Sequence, residues 1–231
     1  MDSTSASLAG AAREALAFLF PVTCVGCGAP DAAVCVACSA RMAAQVSRRD
    51  LADGFPVWAG TGYEGVARRA IVALKNDQRT DAARALAPVF LGALEAAAAG
   101  LAECAPAVVA LAALPSTRAA YRRRGYRPVD VVVRRAGLRT EHPLIWRRQP
   151  ADQIGLGIDA REANLTGALR ARRGTDGRYF LLVDDVVTTG GTLREARRAL
   201  TDAGGIVLGA VVIAATARRL PPASFRSHFA E

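Results

Sequence analysis

The chain has 231 residues, of which 52% are hydrophobic and 22% are charged, and its formal net charge is +9. This length and composition exclude a disordered protein and predict one large domain, or one domain with a small appendage. The alanine-rich segments are too short and interrupted to cross a membrane, and the N-terminus lacks the basic start of a signal peptide, so we predict a cytoplasmic protein without membrane partners.

The positive charge is concentrated in one stretch. Residues 118–148 hold ten arginines and two acidic residues, a local net charge of +8. Such a field attracts phosphates, either those of a polyphosphate substrate or those of a nucleic acid. Lys75 is the only lysine among the 30 basic residues, however, and this preference for arginine is also typical of a GC-rich genome. A functional basic surface and compositional bias therefore both stay open.

The N-terminal part combines a predicted helix with paired cysteines. Residues 5–20 form an amphipathic pattern that Pro21 ends, and two C-x-x-C pairs follow, separated by seven residues. Two such pairs can place four thiolates around one tetrahedral ion, so we predict a closed structural zinc site. Its ligands are Cys24, Cys27, Cys35 and Cys38. An iron centre and two disulfides are the alternatives, and we interpret Cys104 as a small buried apolar residue.

The next segments predict the start of an α/β domain. We expect a short helix over residues 39–47 and a polar linker over 48–54. Patterns of hydrophobicity then predict a strand over 57–63, a helix from Gly65 to about Lys75, and a second helix over 80–99, broken at Pro88. We accordingly divide the chain into a zinc-binding module over residues 1–47 and a larger domain over 55–231.

A second strand is predicted at residues 107–114. The residues just beyond a parallel strand face the ligand crevice, so residues 115–118 lie where an anion can bind. Residues 129–136 predict a helix. The polar segment 145–161 is either a mobile lid or a plain surface loop. Residues 205–214 predict a last buried strand, before an irregular tail at 221–231, and complete a sheet of four or five parallel strands with helices on both faces.

The most informative stretch is Y-F-L-L-V-D-D-V-V-T-T-G-G-T-L at residues 179–193. Residues 179–183 predict a buried parallel strand that ends at Asp184 and Asp185. Residues 188–192 supply N–H groups, hydroxyls and glycines for an anion site, and we expect Thr192 to cap the following helix. Carboxylates repel phosphate, so the acids are expected to bind hydroxyls or a metal some distance away. This pattern predicts a ribose 5-phosphate site.

The stretch resembles the phosphoribosyl-pyrophosphate (PRPP) motif of type I phosphoribosyltransferases. The resemblance implies an α/β fold in which the acids contact the ribose hydroxyls and serve catalysis, the loop holds the 5-phosphate, and Mg²⁺ accompanies PRPP. The implied PRPP-binding residues are Asp184, Asp185, Val186, Val187, Thr188, Thr189, Gly190, Gly191 and Thr192.

The order of motifs is similar to that of the ComF family, phosphoribosyltransferase-like proteins associated in bacteria with competence for DNA uptake. The shared features are the cysteine knuckle, A-L-K at Lys75, L-P-S-T-R-A-A-Y-R-R-R-G-Y at residues 114–126, Q-I-G-L with R-x-x-N-L-x-G-A-L at 153–169, and the PRPP motif. The family's Asn and Gln after the Arg-Gly-aromatic group are Arg127 and Pro128 here. On the pyrophosphate side, the resemblance implies Lys75, Ser116, Thr117 and Arg118.

Two main functions follow from these features. As an enzyme, the protein would displace pyrophosphate from C1 of the ribose with a nitrogen base. As a binding protein, it would use the fold as a scaffold, hold single-stranded DNA on a basic surface, and dock a helicase or another DNA-processing partner through the zinc module. Candidate DNA contacts are Arg122, Arg123, Arg124 and Arg127, with Tyr121, Tyr126 and Trp146 for base stacking. A third reading is a pure interaction module.

Overall fold

The structure is a computed structural model, and it describes residues 22–43, 45–103, 106–148 and 165–217. The predictions for residues 5–21, for Cys104, for 149–161 and for the tail at 221–231 lie outside these ranges. The described helices are α1 (Val36–Arg41), α2 (Gly65–Asn76), α3 (Ala83–Gly100), α4 (Arg118–Arg124), α5 (Pro128–Arg135) and α6 (Gly191–Thr201). The strands are β1 (Ser47–Asp50), β2 (Pro56–Gly62), β3 (Ala110–Ala113), β4 (Leu144–Trp146), β5 (Leu169–Ala171), β6 (Tyr179–Val187) and β7 (Ile206–Ala215).

A five-stranded sheet with the order β1-β2-β7-β6-β3 forms the centre of the molecule. Its neighbours β2 and β7, β7 and β6, and β6 and β3 pair in parallel, whereas β1 pairs with β2 in the antiparallel direction. This arrangement confirms the predicted α/β fold with a mostly parallel sheet. It also brings the carboxyl ends of β2, β7, β6 and β3 to one edge, where the candidate ligand residues lie.

Apolar strands with a helical layer on each face explain the core. On one face, Leu181 and Val183 of β6 pack in a cluster with Phe90 of α3. On the other face, Leu182 packs with Leu193 and residues of the same helix, α6. The helix α3 lies directly against β2 at Gly60. A Cβ atom on this residue would be only 2.2 Å from the carbonyl oxygen of Val89, so the close approach requires a glycine. Hydrophobic burial on both faces therefore fixes the sheet between its helices.

The helix α3 and the 3₁₀ turn before it, Thr80–Ala82, occupy the region of the predicted second helix. Pro88 lies inside α3 and does not break it. Within the part of the chain that the structure describes, Thr80–Gly100 is the one segment long and apolar enough to cross a membrane, with a mean hydropathy of 1.4. Its residues Leu86, Val89 and Phe90 are buried in the core, which accounts for their hydrophobicity without a bilayer.

Two local predictions near the N-terminus are wrong. Helix α1 covers Val36–Arg41 instead of residues 39–47, because it begins directly after Cys35. Residues 48–54 are not a linker, since Ser47–Asp50 forms the edge strand β1. This strand is polar and mostly exposed, and so it lacks the apolar alternation by which a half-buried strand is predicted.

Candidate sugar-phosphate site and candidate metal centre

The acid pair lies inside β6. The strand continues to Val187, beyond the predicted end at Val183, and Asp184 pairs in register with Val212 of β7. The turn after β6 closes at Gly190, whose backbone has φ 82° and which precedes the first residue of α6. Thr192 is therefore the second residue of the helix and not its cap, because the glycine allows the turn to close earlier than the sequence predicts.

Lys75 and Asp185 form an ion pair at the carboxyl edge of the sheet. The Nζ atom of Lys75, in the last turn of α2, is 2.8 Å from Oδ1 of Asp185. Burial alone would lower the pKa of Lys75, but the charges of Asp185 and Asp184 outweigh burial and raise it. The lysine is therefore a permanent cation beside the two carboxylates, on an element far from them in sequence.

The protonation of Asp184 depends on its burial and on the charges beside it. Burial, followed by the charge of Asp185, raises the pKa of Asp184 to about 7, although Lys75 and the backbone N–H of Asp185 act in the opposite direction. That N–H donates to Oδ1 of Asp184 over 2.8 Å. Two adjacent carboxyl groups in a partly buried place cannot both ionise cheaply. Asp184 thus exchanges its proton near neutral pH, where a cationic ligand would favour its ionised form.

The segment after β3 lies beside the acids. The backbone N–H of Leu114 donates to the carbonyl of Val183, directly before Asp184, over 3.1 Å. Helix α4 begins at Arg118, and the hydroxyl of Thr117 caps it by accepting from the N–H of Ala120 over 3.2 Å. The sequence did not predict this helix. Ser116 and Arg118 lie with Thr117 at the same sheet edge as Asp184 and Asp185.

Two aromatic side chains hold this region in place. The indole Nε1 of Trp146 donates to the carbonyl of Pro115 over 2.9 Å, which anchors the segment after β3 to β4. The hydroxyl of Tyr126 donates to the carbonyl of Leu74, the residue before Lys75. Both aromatic residues were predicted as stacking surfaces for DNA, but their polar atoms bind backbone within the protein. Ile145 and Trp146 also belong to β4 and not to the predicted polar loop.

Side chains from outside residues 179–193 hold the loop between β6 and α6. Arg49 of β1 donates from Nη2 to the carbonyl of Thr188 over 2.9 Å, and Arg194 donates from Nη1 to the carbonyl of Thr189 over 3.2 Å. Thr188 and Thr189 are exposed, whereas Gly190 is buried. The carbonyls of two successive loop residues therefore point to cations. Sequence reasoning missed Arg49, because residues 47–50 are all polar and carry no alternation that would predict a strand.

The four paired cysteines converge. One sulfur atom from each of Cys24, Cys27, Cys35 and Cys38 lies within 4.8 Å of the others, and the Sγ atoms of Cys27 and Cys35 are 3.7 Å apart. Four thiolates at about 2.3 Å from one zinc ion would be separated by roughly 3.8 Å, so the residues fit this metal. Zinc bound here would cross-link the chain and have a structural role. Four protein ligands would leave no coordination position open for water or substrate.

The protonation of the buried thiols is also consistent with a cation site. Burial, together with the neighbouring cysteines, raises the pKa of Cys38 to about 12. Burial would raise the pKa of Cys24 as well, but backbone N–H groups directed at its sulfur outweigh burial and lower it to about 6. The N–H groups of Gly26 and Cys35 each lie 3.3 Å from that sulfur. The cluster can hold four negative sulfurs only with a bound cation.

The cysteine cluster packs against the larger part of the molecule. Cys24 and Cys38 are buried in the same core cluster as Val66 and Ile71 of α2. A Cβ atom on Gly26 would lie 2.5 Å from the sulfur of Cys38, so a glycine is required for this close approach. The cysteine cluster consequently packs against α2, the helix whose last turn carries Lys75.

The predicted DNA-contacting arginines are not equivalent. Arg122 and Arg123 of α4 are exposed, and Arg124 is half-buried. The guanidinium of Arg127 stacks over the ring of Tyr121, with 5.1 Å between the carbon atom and the ring centroid. Pro128 begins α5, where its fixed φ and missing N–H are favourable. The departure from the ComF pattern at these two positions therefore serves local packing in this structure.

Comparison with known families identifies part of this chain. Residues 122–227 match the family model of the phosphoribosyl transferase domain. The matched region contains β6, the acid pair and the loop before α6. No curated protein matches the chain. This α/β protein therefore contains a region that matches a phosphoribosyl transferase domain, and its four clustered cysteines are close enough together to bind zinc.

Proposed function

We propose that the protein binds Mg²⁺-PRPP at the carboxyl edge of the sheet and transfers the phosphoribosyl group to a nitrogen base, with release of pyrophosphate. The carrying observation is the arrangement of Asp184, Asp185 and Lys75 beside a glycine-containing turn that opens α6. The two acids and Lys75 supply negative and positive charge, and the backbone N–H groups of the turn before α6 follow a few residues after the acids. A sugar carrying phosphates at both ends needs such a combination.

Each part of the site has a distinct task in this proposal. Asp184 and Asp185 bind the ribose hydroxyls and stabilise the positive charge that develops on the ring. The loop residues 188–192 hold the 5-phosphate at the start of α6. On the pyrophosphate side, Arg118 with Ser116 and Thr117 would bind the leaving group, and Lys75 would neutralise the charge that it acquires. Bound Mg²⁺ would supply further charge neutralisation for the pyrophosphate.

The four cysteines complete the proposal as a structural zinc site in a cytoplasmic protein. The ion would hold residues 22–43 against α2, because Cys24 and Cys38 lie in the core beside that helix. The zinc thus supports the element that carries Lys75. We place no step of the sugar chemistry at this metal.

Pyrophosphate release tests the enzymatic proposal. Wild-type protein is incubated with PRPP and Mg²⁺ across a panel of purine and pyrimidine bases and other nitrogen nucleophiles, and calorimetry measures PRPP binding in parallel. We expect binding, and release that depends on one acceptor. Binding without release for any acceptor would contradict ribosyl transfer but keep the ligand site. Absence of PRPP binding would contradict both.

A non-catalytic role in binding single-stranded DNA is a second candidate. It is supported by two exposed arginines on α4, Arg122 and Arg123. The preceding residue, Tyr121, is 43% exposed. Basic groups and an aromatic ring on one surface suit non-specific binding of a single strand. The ComF resemblance would then imply a role in DNA uptake, with a helicase or another DNA-processing protein docked on the zinc module.

Salt dependence tests the DNA proposal. Phosphate contacts release counterions, so affinity for a single-stranded oligonucleotide should fall steeply as salt rises. Reversing the charges with Arg122→Glu and Arg123→Glu should reduce both the affinity and the salt slope. The matched control reverses Arg68 and Arg69, an exposed pair on α2. Equal losses in the two double variants would show that net charge alone, and not this surface, attracts DNA.

A further inference from the structure

The hairpin formed by β1 and β2 contacts the phosphate-binding loop and the helix after it. Arg49 binds the carbonyl of Thr188, and the side chain of Leu51 packs beneath Gly190, where an added Cβ would be 2.6 Å from Leu51. Asp53 in the turn pairs with Arg197 of α6 over 3.0 Å. The hairpin lies before residue 122, outside the region that matches the phosphoribosyl transferase domain. Residues far from the motif therefore shape its loop.

Arg49 joins three segments of the chain at this point. Its Nη2 donates to Thr188 in the loop after β6, and its Nη1 donates to the carbonyl of Thr216, just after β7, over 3.2 Å. The N–H of Thr216 in turn donates to the carbonyl of Val187 over 3.0 Å. One guanidinium thus fixes the ends of two parallel strands relative to the edge strand β1.

The guanidinium has chemical consequences for the loop as well as mechanical ones. Its planar, rigid set of donors can bind two carbonyls in a fixed geometry, which a lysine cannot do. A carbonyl that accepts a charged hydrogen bond polarises its peptide group, so the N–H of Thr189 becomes a stronger donor to an anion. A loop that is already ordered also loses less conformational entropy when the ligand binds.

We propose that Arg49 is a positioning residue for the phosphate-binding loop, and that the β1–β2 hairpin is a functional part of the sugar-phosphate site. The inference rests on the proposed PRPP site. Arg49 acts through the carbonyl of Thr188, and it orders the loop and raises its affinity for phosphate groups. The neighbouring Arg48 provides a matched control, because its guanidinium stacks over Trp58 at 5.5 Å and pairs with Asp50 at 3.3 Å.

The experiment compares Arg49→Gln, Arg49→Lys and Arg48→Gln with wild type. Calorimetry measures affinity for inorganic phosphate and for PRPP with Mg²⁺, and hydrogen exchange measures protection of the amides of residues 189–191 without ligand. We expect Arg49→Gln to weaken both ligands by a similar factor of about tenfold, because the ligand must then order the loop without help from the guanidinium. Exchange at the loop should accelerate in the same variant. Arg49→Lys should be intermediate, and Arg48→Gln should match wild type.

The outcomes separate this inference from the proposed function. If wild type binds PRPP but Arg49→Gln and Arg48→Gln behave alike in affinity and exchange, the positioning role is wrong and the PRPP site stands. If wild type does not bind PRPP, the proposed function fails, and unchanged loop exchange in Arg49→Gln then also overturns the positioning role. Thermal unfolding identifies a variant that is globally destabilised. In that case the same measurements on Arg49→Lys, which keeps the charge, test the positioning role. Affinity and exchange equal to those of wild type would contradict it.

Discussion

The cysteine centre and the proposed sugar-phosphate site are built in opposite ways. The cysteine centre takes its ligands from residues 24–38, one short segment that folds around them. The proposed sugar-phosphate site combines Lys75 from α2, the two acids from β6, and Arg49 from the edge strand. A local site can be closed by a few turns of chain, whereas a site assembled from distant elements depends on the whole sheet. The cysteine cluster is therefore a local arrangement, and the proposed sugar-phosphate site is one that depends on the complete fold.

The two places also differ in how charge is balanced. In the cysteine centre, backbone N–H groups and the sulfurs themselves surround the thiols, and neutralisation requires a bound ion. At the sheet edge, Lys75 neutralises Asp185 within the protein, while burial, followed by the charge of Asp185, raises the pKa of Asp184 to about 7. A zinc ion bound by the four cysteines would therefore add directly to the stability of the first arrangement. The second arrangement contains its own cation, Lys75, next to the acids.

The largest effect should follow loss of the buried cysteines. Cys24→Ser with Cys38→Ser removes two ligands from the core, so zinc content should fall from about one per chain to none. The free energy of unfolding should fall by at least about 4 kcal/mol, as is typical when a structural metal is lost. Elemental analysis and urea unfolding measure both quantities.

A Cys104→Ser variant serves as the control for the cysteine experiment, because it leaves all four clustered cysteines in place. It should keep its zinc. Unchanged metal content in the Cys24 and Cys38 double variant would contradict the zinc assignment. An iron content of about one per chain in wild type would replace zinc by iron in the same ligand set.

A smaller effect is expected at the ion pair of Lys75 and Asp185. Lys75→Met leaves two adjacent carboxylates without their cation, and should destabilise the protein by about 2 kcal/mol. A double-mutant cycle with Asp185→Asn should give a coupling energy of about 1 kcal/mol. The exposed pair of Arg178 and Glu141, at the same 2.8 Å, should show coupling near zero. Equal coupling energies in the two cycles would show that burial does not strengthen the ion pair of Lys75 and Asp185.

The smallest effect concerns the proton on Asp184. Its pKa is raised from 3.8 to about 7, so the folded state binds more protons than the unfolded state between these values. Ionised Asp184 therefore costs stability above pH 7, and this cost disappears as pH falls. We expect Asp184→Asn to stabilise the ligand-free protein at pH 8 by about 1 kcal/mol, or about 2–4 °C in Tm. The gain should vanish near pH 4.

Glu195 offers an internal comparison of opposite sign. It is buried, and although burial would raise its pKa, hydrogen bonds from Arg198 and from backbone N–H groups outweigh burial and lower the pKa. Its stabilising contribution is therefore present above its unfolded pKa and is lost as pH falls. At pH 8, Glu195→Gln should therefore have a lower Tm than wild type, and Asp184→Asn should have a higher one. Parallel profiles would contradict the pKa shift of Asp184.

The contrast between the two regions also explains what the sequence could predict. The cysteine spacing predicted a cluster that the fold does form, because all its ligands lie within one segment. The continuous apolar runs at β6 and β7 predicted buried parallel strands for a similar local reason. The acid pair and its loop were recognisable because strand, acids and turn are consecutive in sequence.

Features that depend on distant contacts were not predictable in this way. Strand β1 is polar, and it is a strand only because β2 offers it an edge to pair with. The contact of Arg49 with Thr188 spans 139 residues, and nothing in either segment indicates the other. The hydrogen bonds of Trp146 and Tyr126 to backbone carbonyls likewise require the folded chain. Aromatic residues in a basic stretch suggested stacking on DNA bases, but in the folded chain the polar atoms of Trp146 and Tyr126 donate to backbone carbonyls.

The ligand preference of the acid pair tests the central claim most directly. Calorimetry with Mg²⁺ compares PRPP and inorganic phosphate binding to wild type, to Asp184→Asn with Asp185→Asn, and to Gly190→Ala, in which a Cβ would collide with Leu51. We predict that the double variant loses PRPP affinity by roughly tenfold to a hundredfold while its phosphate affinity is kept, because the acids bind the sugar and the loop binds the anion. Gly190→Ala should weaken both ligands. Equal losses for both ligands in the double variant, or no PRPP binding by wild type, would contradict the site.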